Sequence, residues 1–198
     1  MALSTVEDIC NAALRKIGYA VPIGYIYEGS AASRVAVEIY GQTRDALLTA
    51  FDWDFARQAV KLTLLKTAPA GGYQTAAWTS AYPPPPWVYE YAYPAACLLV
   101  RALRPTPIFM PEFDPVPSVF VLGNDAGAEV ILTNLANAQA VYTAQVVTPT
   151  VWSASFTEGL IDALAVKFQK ALAPEPNAVK DAEQTEAQSV AMAVERRG

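Results

Sequence analysis

The stretch SAASRVAVEIYGQTRDALLTAFDWDFARQAVKLTLL, residues 30–65, contains a change of hydrophobic period. Ser30 can cap a helix that runs to about Ala50. The apolar residues of this helix form two stripes, so two of its sides are expected to be buried. One side would face the core, and the other would face either the same core or a neighbouring subunit. From residue 57 apolar and polar residues alternate, which predicts a strand over residues 57–66.

Helical patterns also occur on both sides of this stretch. Residues 4–7 have the S-x-x-E form of a capping box and precede apolar residues at helical spacing. Residues 155–158 have the same form at the start of a strong helical pattern that ends near Ala173. Pro94 suits the first turn of a further short helix over residues 95–104. Together these patterns predict a mainly α protein built on a helical bundle.

Short strands are predicted near the middle of the chain. Residues 119–122, 129–133 and 139–147 are rich in apolar residues, and the sequences GNDAG and NLANA supply turns between them. This pattern is typical of a small antiparallel meander, which would form a β insertion in the bundle.

The predicted domain organisation has two parts. Residues 1–173 form the bundle, with the β insertion at about residues 57–66 and 116–148. Prolines follow the last strong helix, and residues 174–198 carry only a weak amphipathic pattern. This segment is either a frayed tail or an extended C-terminal arm that needs a partner to cover it.

A proline run, SAYPPPPWVYEYAYP at residues 80–94, precedes the short helix. Four consecutive prolines favour a stiff polyproline II connector. Aromatic residues then recur at every second position, which predicts a short extended segment with its aromatic side chains on one face. The alternative is a binding module for a proline-reading or sugar partner, in which a peptide of these residues would bind alone.

Composition limits the class of protein. Of 198 residues, 53% are hydrophobic and 17% are charged, so the chain is expected to fold into a core. No apolar run approaches the roughly 18 residues of a membrane span, and the N-terminus does not resemble a signal peptide, so a soluble, intracellular protein without a membrane partner is expected. The net charge is −5 and no basic stripe is interleaved with aromatics, which argues against a protein that grips DNA.

The residues available for chemistry are few. The sequence has no histidine, which excludes Ser-His-Asp and Cys-His catalysis and most zinc sites. Close carboxylate pairs occur at Asp52/Asp54 and at Glu112/Asp114, where a chain turn and a solvated loop are the expected roles. We therefore predict that the protein is not an enzyme and has no cofactor, metal or catalytic site. The enzymatic alternative is a carboxylate-based peptidoglycan hydrolase.

Several segments resemble one known family. ICNAALRKIG at residues 9–18, Arg44, Leu47, Leu48, Trp53 and Phe55 in the second helix, and WVYEYAYPAACL at residues 87–98 are similar to the tail tubular, or head-to-tail adaptor, proteins of short-tailed bacteriophages. The strands and the Trp-x-x-x-Phe before the last strong helix continue the resemblance.

The resemblance implies a structural virion protein at the head-to-tail junction. Copies would form a closed ring, usually dodecameric, between the portal protein and the tail nozzle protein. Double-stranded DNA would pass through the channel without sequence-specific binding, and the C-terminal arm would embrace the portal. Candidate arm residues for portal docking are Val179, Ala182, Val190, Val194, Arg196 and Arg197. Candidate subunit-interface residues are Val37, Tyr40, Leu48, Trp87, Tyr89 and Tyr91.

Overall fold

The computed structural model describes residues 4–106 and 118–172, which form a mixed α/β structure. The α-helices are α1 (Val6–Lys16), α2 (Ala31–Ala50) and α3 (Ala154–Leu172). The strands are β1 (Arg57–Lys61), β2 (Leu64–Thr67), β3 (Tyr89–Ala92), β4 (Cys97–Pro105), β5 (Phe120–Asp125), β6 (Ala128–Thr133) and β7 (Ala138–Ala144). The prediction of a mainly α helical bundle is therefore wrong, because strands occupy much of the chain between α2 and α3.

The described residues divide into two compact units. Residues 4–55 and 146–172 form a helical unit that contains all three α-helices, and the described part of residues 56–145 forms a sheet unit that contains all seven strands. The predicted C-terminal arm lies outside the described residues.

Local capping signals define the ends of the helices. Ser30 Oγ accepts the backbone N–H of Ser33 at 3.2 Å, so α2 begins and ends as predicted. The cap of α1 is Thr5, whose hydroxyl accepts the Asp8 N–H while the Asp8 carboxylate accepts the Thr5 N–H, both at 3.1 Å. At α3 the hydroxyl of Ser153 accepts the Phe156 N–H at 3.3 Å, two residues before the predicted cap.

An aromatic cluster forms the core of the helical unit, in which α3 packs against both α1 and α2. Trp53 is 2% exposed and its indole N–H donates to the carbonyl of Leu47 at 2.9 Å. Its ring meets Phe156 edge to face with 5.2 Å between centroids, and Trp152 meets the same Phe156 at 5.0 Å. The segment after α2 is thereby fixed against the start of α3.

The sheet unit contains two antiparallel sheets. The three-stranded sheet has the order β1-β7-β4, and the four-stranded sheet has the order β2-β3-β6-β5. The aromatic segment predicted to be extended is confirmed as β3, which lies inside the four-stranded sheet between β2 and β6.

The short helix predicted over residues 95–104 is a strand instead. β4 pairs with β7 from Cys97 to Pro105. Its short apolar run, bounded by prolines, fits either a buried helix or a strand by pattern alone. Pairing with β7 satisfies its backbone groups and decides between the two.

Two details of the predicted β insertion are also wrong. Residues 57–66 form two strands in different sheets, since Leu62 N–H donates to Ala138 of β7 and Thr63 C=O accepts from Ala92 of β3, both at 2.9 Å. The hairpin of β5 and β6 agrees with the meander prediction, but β7 leaves it and joins the three-stranded sheet. The sequence shows where these strands are but not which partners they have.

Trp53→Ala tests the aromatic core. We expect the substitution to lower the free energy of unfolding by about 3–5 kcal/mol, because it removes a buried ring and leaves a cavity. Chemical denaturation followed by circular dichroism measures this change. Trp78, which is 52% exposed, is the matched control, and Trp78→Ala should cost about 1 kcal/mol or less. Equal losses for the two variants would contradict the assignment of the core.

Candidate functional site

Three charged side chains converge in the four-stranded sheet. The Lys66 ammonium of β2 lies 2.6 Å from the Asp125 carboxylate at the end of β5 and 3.4 Å from Oε1 of Glu90 in β3. Lys66 and Glu90 are direct neighbours in the β2–β3 register. Glu90 is 2% exposed, and its Oε1 has no hydrogen-bond partner within normal distance. We call these three residues the ionic centre.

The three groups of the ionic centre have different electrostatic environments. Burial raises the pKa of Glu90, and Lys66 opposes this increase only in part. The hydrogen bond with Lys66 lowers the pKa of Asp125, and the hydrogen bond with Asp125 raises the pKa of Lys66. Lys66 and Asp125 therefore form the closer ion pair, and Glu90 is a buried acid beside it.

The geometry of the ionic centre suits a structural tie better than an acid–base site. A general acid must reach within hydrogen-bond distance of the group that it protonates, and the carboxyl of Glu90 is sealed from solvent. Lys66 connects the carboxylates of two different strands. The described residues also contain no cluster of three or more Cys, Asp or Glu side chains arranged to hold a metal ion.

Glu90→Gln tests the electrostatics of the ionic centre. The unfolded chain loses the Glu90 proton near the ordinary pKa of 4.5, whereas the folded chain keeps it to higher pH. The stability that this proton contributes is therefore present below pH 4.5 and is lost as the pH rises through the folded pKa. We expect the difference in unfolding temperature between Glu90→Gln and the wild type to change in favour of the variant as the pH rises from 4 to 7.

The matched control is Glu129→Gln, which changes an exposed carboxylate on the adjacent strand β6. This variant should follow the wild type over the same pH range. A Glu90→Gln variant that loses stability relative to the wild type as the pH rises would show that Glu90 is a stabilising carboxylate instead.

A second unusual group lies in the helical unit. Tyr40 of α2 is buried, and its hydroxyl has no hydrogen-bond partner among the described residues. Burial first, and Cys10 second, raise the pKa of Tyr40. Burial also raises the pKa of Cys10 to about 12, so this thiol is an inert core side chain. The site is enclosed within the subunit and offers no reactive group to a ligand.

Tyr40→Phe and Tyr91→Phe form a matched pair of hydroxyl deletions. Tyr40→Phe should leave the free energy of unfolding unchanged or raise it, because a buried hydroxyl without a partner is removed. Tyr91 is equally buried, but its hydroxyl donates to the Leu135 carbonyl at 3.0 Å. Tyr91→Phe should therefore cost about 1–3 kcal/mol in urea denaturation. A larger loss of unfolding free energy for Tyr40→Phe than for Tyr91→Phe would contradict these hydrogen-bond assignments.

The proline run is held by its own loop. The Tyr73 hydroxyl and the Trp78 indole N–H both donate to the carbonyl of Pro83, the indole at 2.9 Å.

An open cleft of about 510 Å³ lies beside the proline run. Its lining residues are Pro86, Trp87, Ser118, Val119, Thr133, Asn134 and Leu135. Asn134 and Thr133 already accept or donate hydrogen bonds within the chain, and no lining side chain is ionisable. Among its described lining residues, the cleft therefore has no ionisable side chain that could orient a ligand.

The predicted interface residues have different positions. Tyr40 and Leu48 are buried in the helical unit, and Tyr91 is buried in the sheet unit, so these side chains are not on the surface. Trp87 and Tyr89 are half-buried, and Val37 is 46% exposed. The structure therefore brings the six residues into no single patch within either unit.

The predicted carboxylate pairs are not part of the ionic centre. Asp52 and Asp54 are exposed, and Asp54 begins a short 3-10 helix, Asp54–Ala56. Glu112 and Asp114 lie outside the described residues, as do all of the candidate arm residues, Val179, Ala182, Val190, Val194, Arg196 and Arg197.

Apart from Trp78 in the loop after β2, the large exposed apolar side chains of the sheet unit lie on or near its outer strands. Leu64 and Leu65 of β2 are about half exposed. Val121 and Leu122 of β5 are 41% and 48% exposed, and Val119 just before β5 is 76% exposed. Alternation alone does not reveal this surface, because it depends on which strands end each sheet.

Comparisons with known proteins add no relative. No protein-family model matches the sequence, and no curated protein matches it either. In the part of the chain that the structure describes, no helix has the length and hydropathy needed to cross a bilayer.

Proposed function

We propose that this chain is a structural virion protein, a head-to-tail adaptor that forms a closed ring between the portal protein and the tail nozzle protein of a short-tailed phage. The observation that carries the proposal is the exposed apolar surface on the outer strands β2 and β5. Exposed apolar side chains that group on a sheet edge favour a surface that another protein covers. In a ring, neighbouring copies would cover them.

The chemistry of the described residues supports a structural role. The sequence has no histidine, and Glu90, the one described carboxylic acid that burial holds toward its neutral form, is sealed from substrates. The ionic centre joins strands and does not line the cleft. These features favour a rigid assembly subunit over the peptidoglycan hydrolase.

The net charge of −5 supports a channel through which DNA passes without being bound. Like charges repel, so acidic subunits around a channel disfavour contact with phosphates. The resemblance to adaptor proteins supports the portal protein and the tail nozzle protein as partners. Residues 174–198 would form the arm that binds the portal.

Measurement of the oligomeric state tests the proposal. We expect size-exclusion chromatography with light scattering to give a mass many times that of the 21.3 kDa chain, either for the protein alone or after mixing with portal protein. Negative-stain electron microscopy should show rings in the same fractions. A strict monomer in both conditions would contradict the adaptor function.

A further inference from the structure

The four outer strands of the two sheets differ in regularity. β2 and β4 each contain a register shift against their neighbours, and Ser118 already occupies part of the outer edge of β4 at Leu103. β1 and β5 pair with their neighbours without any register shift. Irregular edges resist pairing with another chain, whereas regular edges are templates for it. β1 and β5 are therefore the two edges best suited to accept a further strand.

The outward-facing backbone groups of β1 follow from its register. Leu62 N–H donates to Ala138 C=O at 2.9 Å, directly after the last paired residues of β1 and β7. Hydrogen-bonded pairs alternate along an antiparallel ladder, so Val60 and Gln58 also bond to β7. The N–H and C=O groups of residues 57, 59 and 61 consequently face outward. All five residues of β1 are exposed.

The outward-facing backbone groups of β5 follow from the hairpin turn that joins it to β6. Ala126 and Gly127 have φ of 50° and 90° and form a two-residue hairpin turn, which Asp125 and Ala128 close as a hydrogen-bonded pair. The alternation then places the backbone groups of Phe120, Leu122 and Asn124 on the outer edge. β5 thus presents a regular edge flanked by exposed apolar side chains.

We propose that β1 of one copy pairs with β5 of the next copy, and that this junction links the ring. The inference rests on the proposed ring function and assigns its subunit contact. β1 carries the exposed cations Arg57 and Lys61. The β5–β6 hairpin carries no basic residue; of its two acids, Asp125 already pairs with Lys66 and Glu129 of β6 is exposed. Glu129, beside β5, therefore gives the hairpin a charge opposite to that of β1.

Pairing of β1 with a second β1 is disfavoured. An antiparallel pair centred on Ala59 would place Arg57 of one copy opposite Lys61 of the other, and like charges in cross-strand positions are destabilising. A contact between two different edges is heterologous, and such contacts form a closed ring when the rotation between neighbouring copies closes.

Proline substitutions on the outer edges test the junction. Ala59→Pro and Leu122→Pro each remove an outward N–H and leave the internal ladder bonds in place. Under the conditions that give the wild-type ring, each variant alone should remain a monomer. An equimolar mixture should form dimers, because the Ala59→Pro copy retains β5 and the Leu122→Pro copy retains β1. Light scattering measures these masses.

The controls separate this inference from the proposed function. Ala59→Val and Leu122→Val keep the N–H groups and should assemble like the wild type, and thermal unfolding verifies that each variant is folded. Rings from both folded proline variants would overturn the β1–β5 junction and leave the ring function standing. A wild-type monomer, with and without portal, would contradict both proposals.

Cross-linking provides a second test if a proline variant fails to fold. In a Cys97→Ala background, copies with Ala59→Cys are mixed with copies carrying Leu122→Cys and treated with a short bis-maleimide. We expect a cross-linked dimer from the mixture and none from either variant alone. Absence of the dimer from the mixture, or an equal yield from one variant alone, would overturn the junction.

Discussion

The three-stranded sheet depends on β7, which must pair on both of its sides. Six of the seven residues of β7 are buried, and the strand lies between β1 and β4. A buried strand cannot leave its backbone N–H and C=O groups without partners on either side, since each unsatisfied group costs free energy. Residues 97–105 supply one of these ladders, and the segment after α2 supplies the other.

This constraint explains which parts of the fold could be predicted. The ends of α2 depend on Ser30 and on a helical period, both of which are local, and the prediction over residues 31–50 is confirmed. The aromatic alternation at β3 is also local. The strand β4 depends on a partner far along the chain, so by its local pattern alone its apolar run is compatible with either a helix or a strand. The division of residues 57–66 between two sheets has the same origin.

The ionic centre could not be predicted for a similar reason. Glu90 lies among alternating tyrosines, and Lys66 and Asp125 lie in other strands with no motif that connects them. Only the strand order brings the three side chains together. By contrast, the absence of histidine is visible in the sequence, and it limits the chemistry of the chain before any fold is known.

In the proposed ring, the exposed edges of the sheet unit would make the contacts between copies. Tyr40 and Leu48 serve the subunit's own core, so much of the second face of α2 is not available to a neighbour. Lys66, in turn, ties the end of β5 to the interior of the four-stranded sheet through Asp125 and Glu90. An edge that is already held in place loses less conformational freedom when it binds a partner. Burial of Glu90 disfavours its charged form, and in the proposed junction the same centre would hold β5 in place for pairing with the next copy.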